Sequence, residues 1–165
     1  MRHDPLAHPE QLIRRVYAYV AYRIGDGPEA EDVTSETFER AVRYRSRFDA
    51  RKGEPIAWLI GIARNCIAEA HRPTPAVMSP DAVAEGPEER TAARVDLSRA
   101  LATLEPREQE LLALRYGADL TARQIGELLG LKTNAVEVAL HRALGRLRGQ
   151  LDPTPRPAEL SSVRV

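Results

Sequence analysis

The chain has 165 residues, with 24 basic and 24 acidic side chains and a formal net charge of zero. This length fits one domain or two small ones. A free-standing nucleic-acid-binding protein is more often basic, so the charge balance argues against DNA binding through overall charge and favours local basic patches or a large partner that supplies affinity.

Residues 9 to 72 predict three amphipathic helices joined by short connections. Apolar side chains recur at helical spacing in the first of them, and a Gly-Asp-Gly-Pro stretch then breaks the pattern. Pro28 suits the first turn of a second helix, with Asp26 or Gly27 as its N-cap. The three helices are expected to pack as one small bundle. Their predicted bounds are 9–24, 28–44 and 55–71.

The second of these helices carries a concentration of negative charge in its early, outer part. Acidic side chains near a helix N-terminus are favourable by some tenths of a kcal/mol each. An ordinary solvated face therefore remains an alternative to a docking surface. The acidic residues are Glu29, Glu31, Asp32, Glu36 and Glu39.

At the end of this helix the charge changes sign. Tyr44 and Phe48 lie among the basic side chains, and Gly53 ends the run. Basic and aromatic side chains together in a loop suit single-stranded nucleic acid, because they neutralise phosphates and stack on bases. A helix end that is basic because its dipole favours cations remains the alternative. The basic residues are Arg43, Arg45, Arg47, Arg51 and Lys52.

Residues 73–92 differ sharply in composition from the helices before them. They are acidic and contain four prolines and few large apolar side chains, so they cannot sustain a helix or a core. We expect a flexible linker between two domains. The tail, 152–165, is rich in proline and serine and is predicted to be disordered.

A second bundle is predicted over residues 93–151. A short helix begins near its start, and another is opened by Pro106 and ended by Gly117. A longer helical pattern then follows to about residue 147. The chain therefore consists of two helical parts separated by a linker, and no stretch of it convincingly predicts a strand.

The last long helical stretch, from Leu120, predicts two helices joined by a tight turn. Thr121 and Gln124 have the spacing of a capping box, and Gly130 suits a left-handed C-cap. Thr133 or Asn134 is expected to cap the second helix.

Gly126 is small where the two helices would need to approach each other closely. Together with the caps, it meets the physical requirements of a helix-turn-helix, whose second helix can lie in the DNA major groove. A plain antiparallel helical hairpin remains the alternative for this stretch.

The patterns of common catalytic and metal sites are absent from the sequence. No glycine-rich phosphate loop follows a strand, the four histidines are scattered, and no paired cysteines have zinc-ligand spacing. We therefore expect no enzyme activity, metal or cofactor. The single Cys66 lies on an apolar stripe and fits a core position in a reducing cytoplasm. No apolar run is long enough to span a bilayer.

The order of these parts resembles an extracytoplasmic-function sigma factor of the sigma-70 family. These are bacterial transcription initiation factors reduced to two domains, called region 2 and region 4. The resemblance covers residues 9–150 and implies an all-α fold, with two small helical bundles joined by a flexible linker and a helix-turn-helix in the second. It is carried by EAEDVTSETFERAVRY from Glu29, PIAWLIGIARNCIAE from Pro55 and LEPREQELLALRYGADLTARQIGELLGLKTNAVEVALHRALGRL from Leu104.

The resemblance implies that core RNA polymerase and promoter DNA are the partners. The second helix would bind the clamp helices of the beta-prime subunit through Asp32, Ser35, Glu36 and Glu39. The basic loop and third helix would bind the melted minus-10 element through Arg45, Arg47, Phe48, Arg51, Lys52, Trp58, Arg64 and Asn65. The second helix of the helix-turn-helix would read the minus-35 element through Thr133, Asn134, Glu137, Val138, His141 and Arg142.

Other partners follow from the same resemblance. The acidic linker would thread toward the polymerase active-site and RNA-exit channels, where it could mimic RNA. An anti-sigma factor often holds members of the family inactive and is a further candidate partner. Neither a membrane nor a small-molecule substrate is expected, and the expected location is the cytoplasm.

The recognition helix departs from the usual pattern of the family. Glu137 stands where a lysine is common, and Ala139 and Leu144 stand where arginine is common. Each missing phosphate contact is expected to weaken DNA binding and its salt dependence. Glu137 could accept a hydrogen bond from a cytosine N4, and Asn134 could read adenine.

Two other functions are weighed against a sigma factor. One is a helix-turn-helix regulator that binds an operator as a dimer, which would need a dimerisation face and an effector pocket. The other is a sigma-like protein-interaction module that has lost DNA reading, an idea that the altered recognition helix supports.

Overall fold

The computed structural model describes residues 4–71 and 92–152, and all regular elements in these ranges are helices. The predicted all-α fold is therefore confirmed. The predicted flexible linker falls outside the described residues, except for its last residue, which begins a helix, and so does the predicted disordered tail after Asp152. The helices are α1 (Pro9–Ile24), α2 (Pro28–Arg43), α3 (Pro55–Ala70), α4 (Ala92–Ala102), α5 (Pro106–Leu112), α6 (Ala122–Leu129) and α7 (Thr133–Leu151).

Proline begins four of these helices, as predicted for α2 and α5. Proline is favoured there because its missing N–H has no intrahelical partner in the first turn anyway. Gly27 is the N-cap of α2, one of the two residues predicted for that position. Two short elements complete the list: a 3-10 turn, Arg45–Arg47, after α2, and a π-helical turn, Ala113–Gly117, that continues α5.

Helices α1, α2 and α3 pack as the predicted first bundle. Val16, Tyr19 and Val20 of α1 are fully buried in its core. The core also contains two buried threonines on α2, whose hydroxyls donate to the carbonyls of Ala30 and Val33 at 2.7 Å. These hydroxyls therefore have hydrogen-bond partners although they are buried. The remaining polar side chains of α2 point outward.

Helices α4 to α7 form the second bundle, which contains the predicted helix-turn-helix, α6 and α7. The capping box is confirmed: the Gln124 N–H donates to Thr121 Oγ1 at 3.2 Å, and the Thr121 N–H donates to Gln124 Oε1 at 2.9 Å. Gly130 ends α6 in the left-handed conformation, with φ +70°. The predicted cap of α7 was wrong, because Lys132 is the N-cap and no side-chain bond caps this helix.

Gly126 is required by the turn between α6 and α7. A Cβ built there would lie 2.5 Å from the Leu131 carbonyl oxygen. The close approach expected at this position is therefore present, but the neighbour is backbone in the turn rather than a side chain of a crossing helix. The Leu131 N–H in turn donates to the Gly126 carbonyl at 2.8 Å.

We expect Gly126→Ala to lower the free energy of unfolding by about 1–3 kcal/mol, because the added methyl forces backbone apart. Gly145→Ala is the matched control, since no heavy atom lies within 4 Å of its added Cβ. The control should be neutral or stabilising by up to about 1 kcal/mol. Urea denaturation followed by circular dichroism measures both, and equal effects of the two substitutions would contradict the steric argument.

The two bundles share a hydrophobic core, and a second cluster of buried side chains, which includes Leu101, Leu112 and Leu147, lies within the second bundle. Leu111, Leu114 and Leu120 of the second bundle are buried together with α1 of the first. The bundles approach closely at Gly117, where a Cβ would lie 2.8 Å from both the Cα and the backbone N of Tyr19. The described helices therefore form one packed unit.

Arg15 of α1 strengthens this contact with two hydrogen bonds. Its Nε donates to the Ala118 carbonyl at 2.7 Å and its Nη2 to the Asp119 carbonyl at 3.1 Å. Asp119 has a positive φ of 57°, which is uncommon for a residue other than glycine. The Arg15 side chain thus fixes the position of the backbone between the π-helical turn and α6.

Candidate functional site

The acidic side of α2 is exposed at three of its four predicted positions. Asp32, Ser35 and Glu39 face solvent, whereas Glu36 is half-buried. Arg40 Nε donates to Glu36 Oε1 at 2.7 Å, so one of the predicted docking carboxylates is engaged within the chain.

Arg40 also joins α2 to α3. Its Nη1 and Nη2 donate to the two carboxylate oxygens of Glu69 at 3.1 and 2.6 Å. These bonds, and then the bond to Glu36, raise the pKa of Arg40. The pairing is bidentate and holds the guanidinium in one orientation. Glu36 is therefore oriented by an arginine that the sequence-based prediction of this face did not include.

The basic loop after α2 is built around an aromatic pair. The rings of Phe48 and Trp58 lie with their centroids 5.5 Å apart and their planes tilted by 57°. The Arg47 guanidinium lies 4.7 Å from the centroid of the Tyr44 ring. Both contacts have geometries that are favourable for aromatic and cationic groups. The loop therefore presents aromatic faces next to positive charge.

The Arg51 side chain forms hydrogen bonds within its own loop. Its Nε and Nη2 donate to the Asp49 carboxylate at 3.0 and 3.1 Å, although the Arg51 side chain is 90% exposed. The bond from Arg51 lowers the pKa of Asp49. Arg45 and Lys52 are exposed. The predicted loop residues thus divide into exposed cations and one cation paired with a neighbouring carboxylate.

A cavity of about 620 Å³ lies between this loop and α6. Four of the predicted minus-10 residues line one side of it: Arg47, Phe48, Lys52 and Trp58. The opposite side belongs to the second bundle and includes Arg123 and Gln124. The Gln124 amide closes one edge by donating to Glu54 Oε2 at 3.2 Å.

Arg64 lies apart from that cavity, in a polar cluster. Its Nε donates to Glu110 Oε1 at 2.7 Å, and Arg23 Nη1 lies 3.1 Å from the same oxygen. The Tyr19 hydroxyl also reaches this oxygen at 3.5 Å, and burial raises the pKa of Tyr19 to about 12. Asn65 is exposed at the rim of a neighbouring groove of about 610 Å³.

Sequence reasoning missed the residues that the second bundle adds to this surface, Glu110, Arg123 and Gln124. Glu110 and Arg64 are 46 residues apart in the chain, and no local pattern links them. For Gln124, the sequence predicted only its role in the capping box. These contacts follow from the packing of one bundle on the other.

The predicted minus-35 face of α7 is exposed throughout. Val136, Ala143 and Leu147 point into the core from the opposite side of the helix. The exposed set is Thr133, Asn134, Glu137, Val138, His141 and Arg142. Val138 keeps 51% of its surface exposed, which is high for an apolar side chain. The face therefore offers polar and apolar groups for contact, with one arginine and one carboxylate.

Two observations bear on other kinds of site. Among residues 4–71 and 92–152, no group of three or more histidine, cysteine, aspartate or glutamate side chains could hold a metal ion. Over the same residues, no helix is both long and apolar enough to cross a membrane. Cys66 is buried against Thr37, as expected of a core position, and burial raises the pKa of its thiol.

Comparisons with known proteins match both bundles. The Sigma-70 region 2 family matches residues 10–73, and the Sigma-70, region 4 family matches residues 100–149. The ECF RNA polymerase sigma factor ShbA of Streptomyces griseus is 34% identical over 163 residues, which cover 88% of this chain and 85% of ShbA.

The ECF RNA polymerase sigma factor BldN of Streptomyces coelicolor is 30% identical over 149 residues, covering 84% of this chain but only 56% of BldN. The sigma factor RpoE in its complex with the anti-sigma factor NepR, from Bartonella quintana, has the same fold. Its TM-score is 0.65 at 18% identity, over 88% of this chain and 94% of RpoE.

Region 2 and region 4 therefore occur in the family's order, and a relative more than 30% identical is matched over most of its length. This family serves transcription initiation and is not a family of enzymes. The chain belongs to the extracytoplasmic-function sigma factors of the sigma-70 family.

Proposed function

We propose that this sigma factor docks on core RNA polymerase through the exposed acidic side of α2. Asp32, Ser35 and Glu39 contact the beta-prime clamp helices, and Glu36 contributes while Arg40 orients it. The observation that carries the proposal is the continuity of α2 with the basic loop: α2 ends at Arg43, and the 3-10 turn of the loop begins two residues later. A docked α2 would therefore fix the position of the loop on the polymerase.

The loop and the adjacent end of α3 then capture the melted minus-10 strand. Extruding a base from the duplex costs a few kcal/mol, which stacking and phosphate contacts must offset. Phe48 and Trp58 supply the stacking surface, and the cations around them supply phosphate contacts. The remaining proposed minus-10 contacts are Arg45, Arg47, Arg51, Lys52, Arg64 and Asn65.

The exposed face of α7 reads the minus-35 element in the major groove. Its first residues, Thr133 and Asn134, begin the helix, and N-terminal residues of a recognition helix reach base edges. Arg142 is the only arginine of this face, and the Glu137 carboxylate would repel DNA phosphates. The face is therefore too weakly basic to bind DNA without the polymerase.

We also propose the following division of the chain. Region 2 spans residues 9–72, a linker spans 73–92, and region 4 spans 93–151. The chain acts in the cytoplasm, where bacterial RNA polymerase acts, and it catalyses no reaction of its own. An anti-sigma factor is proposed as an inhibitory partner, because RpoE of Bartonella quintana has been solved with the anti-sigma factor NepR.

Run-off transcription with core polymerase on genomic fragments tests the proposal directly. We expect discrete start sites that depend on this chain, and co-purification of the chain with core polymerase. A stable dimer that binds duplex operators without polymerase would instead support a conventional regulator. Core binding without any start site would support a sigma-like interaction module.

Arg142→Ala should weaken promoter binding by holoenzyme and lower the salt dependence of the binding constant by about one unit of slope, as for one lost phosphate contact. Arg99→Ala is the matched control, since Arg99 is exposed on α4, outside the helix-turn-helix. Filter binding over a range of salt concentrations measures both. Equal losses from the two substitutions would show that general charge, rather than the recognition face, is responsible.

A further inference from the structure

One large apolar side chain is exposed on the proposed minus-35 face of α7. Val138 keeps 51% of its surface exposed, and the other five residues proposed for this face are polar. Successive residues of an α-helix are turned by about 100°, so Val138 lies about 200° around the helix axis from Val136. Val136 is fully buried in the core. Val138 therefore lies on the side of α7 that is farthest from the core.

The outermost side of α7 is the side that would enter the major groove most deeply. Asn134 shares it with Val138, because residues four apart lie above one another on a helix. Among the groups by which base pairs differ in the major groove, hydrogen-bond donors and acceptors are polar and the C5-methyl group of thymine is apolar. An exposed valine at this depth is therefore matched by a thymine.

The Glu137 carboxylate lies next to Val138 in the sequence and is also exposed. On α6, the comparable exposed carboxylate of Glu127 is 3.2 Å from Arg123. In the described part of the chain, Glu137 forms no such ion pair. A carboxylate without a cation repels DNA phosphates and loses water when it enters a groove. Its entry is therefore favourable only opposite a hydrogen-bond donor of a base.

Two bases present an amino group in the major groove, cytosine through N4 and adenine through N6. In adenine, the N7 acceptor lies beside the amino group and would repel the second oxygen of a carboxylate. The major-groove edge of cytosine carries the donor without a neighbouring acceptor on the same base. The free carboxylate of Glu137 therefore favours cytosine over adenine.

We propose that Glu137 and Val138 determine the sequence specificity of the minus-35 contact, with Glu137 selecting a cytosine and Val138 a thymine. The two residues differ in height along the helix by about 1.5 Å, so the two bases should lie within about two base pairs of each other. Glu137 also lowers the affinity for every sequence, because it repels phosphates. The inference rests on the proposed reading of the minus-35 element by α7.

The test uses holoenzyme and a pool of promoter duplexes that are randomised at the minus-35 positions. Sequencing of the duplexes bound by wild type should show one position enriched in cytosine, by at least about fivefold over other bases, and a nearby position enriched in thymine. Glu137→Ala should remove the cytosine preference and bind the unselected pool more tightly. Val138→Ser should remove the thymine preference and leave the cytosine preference intact.

A second measurement reports the valine contact itself. Replacement of the selected thymine by deoxyuridine removes only the C5-methyl group, and wild-type holoenzyme should bind the new duplex about fourfold more weakly, as for one buried methyl group. Val138→Ser should bind the two duplexes equally. A general disturbance of α7 would weaken binding to both duplexes and leave their ratio unchanged. Equal sensitivity of wild type and Val138→Ser to deoxyuridine would overturn the assignment of Val138.

Asp96→Ala and Leu151→Ser are the matched controls for charge and for exposed apolar surface. Asp96 is exposed on α4, and Leu151 is 44% exposed at the other end of α7. Both variants should keep the base preferences of wild type, because neither residue lies on the recognition face. Loss of a preference in either control would show that the readout does not depend on contact with the base, and would overturn the proposal.

The selection separates failure of this inference from failure of the proposed function. If wild type enriches a minus-35 sequence that neither Glu137→Ala nor Val138→Ser alters, other residues read the element and only this inference fails. If wild-type holoenzyme binds promoters but enriches no minus-35 sequence, the proposed reading by α7 fails as well. Enrichment of a base other than cytosine at the position that depends on Glu137 overturns the assignment of that residue.

Discussion

Replacing Asp32 and Glu39 together with arginine should weaken binding to core RNA polymerase by at least about 100-fold, or about 3 kcal/mol. Both side chains are exposed on one side of α2, so the substitutions should leave the first bundle folded. The proposed docking requires cations of the partner opposite these carboxylates, and each reversal would place a like charge there. Surface plasmon resonance with immobilised core polymerase measures the effect, and far-UV circular dichroism monitors folding.

The matched control is the double reversal of Glu10 and Asp96 to arginine. Both are exposed acidic side chains, on α1 and α4, and the change in net charge is the same. The control should bind core polymerase within about threefold of wild type at physiological salt, where exposed charges more than about 8 Å apart are largely screened. Equal weakening of both double variants would mean that total charge, and not the acidic side of α2, determines docking.

Features whose chemistry is local could be predicted from the sequence. The proline at the start of α2, the Thr121–Gln124 capping box and the left-handed Gly130 each depend on residues within one helical turn. The cap of α7 was missed although it is also local. Threonine and asparagine are good N-caps in general, but the helix begins at Thr133, one residue earlier than a Thr133 cap predicts and two earlier than an Asn134 cap predicts, so Lys132 takes the cap position.

Contacts between the bundles could not be predicted, because they join residues far apart in the chain. Gly117 was interpreted as the end of a helix, and it does end the π-helical turn. Its lack of a Cβ is equally required by the backbone of Tyr19, about one hundred residues away in sequence. Arg64 was assigned to DNA from the resemblance to sigma factors, whereas its partner Glu110 lies on a helix to which no contact was assigned.

The sequence therefore predicts candidate residues on each helix, but it does not predict which of them contact one another. Amphipathic periodicity identifies which side of a helix is outward within its own bundle. It does not show whether a second bundle covers that side. Phe48 and Trp58 are ten residues apart on a loop and a helix, and their ring contact depends on how the loop folds back.

Trp58→Ala should lower the formation of open complexes by about 5- to 150-fold, because base stacking on an aromatic side chain contributes about 1–3 kcal/mol per base. Trp58 lies on the cavity beside the cations of the loop, with its ring 5.5 Å from that of Phe48. Potassium permanganate footprinting reports unpaired thymines in the minus-10 region and so measures melting directly. Binding to core polymerase should be unchanged, since Trp58 is not on the acidic side of α2.

Two further substitutions of Trp58, and one of Tyr116 as a control, separate stacking from folding. Trp58→Phe keeps an aromatic face and should retain most of the permanganate reactivity, whereas Trp58→Leu keeps a large apolar side chain but should behave like alanine. Tyr116→Ala removes an exposed aromatic of the second bundle, 49% exposed and absent from the cavity lining, and should have no effect on melting. If Trp58→Leu melts promoters as well as wild type does, apolar packing of α3 explains the role of Trp58. Loss of melting in both the alanine and the leucine variants, with the phenylalanine variant active, establishes that the captured base stacks on this ring.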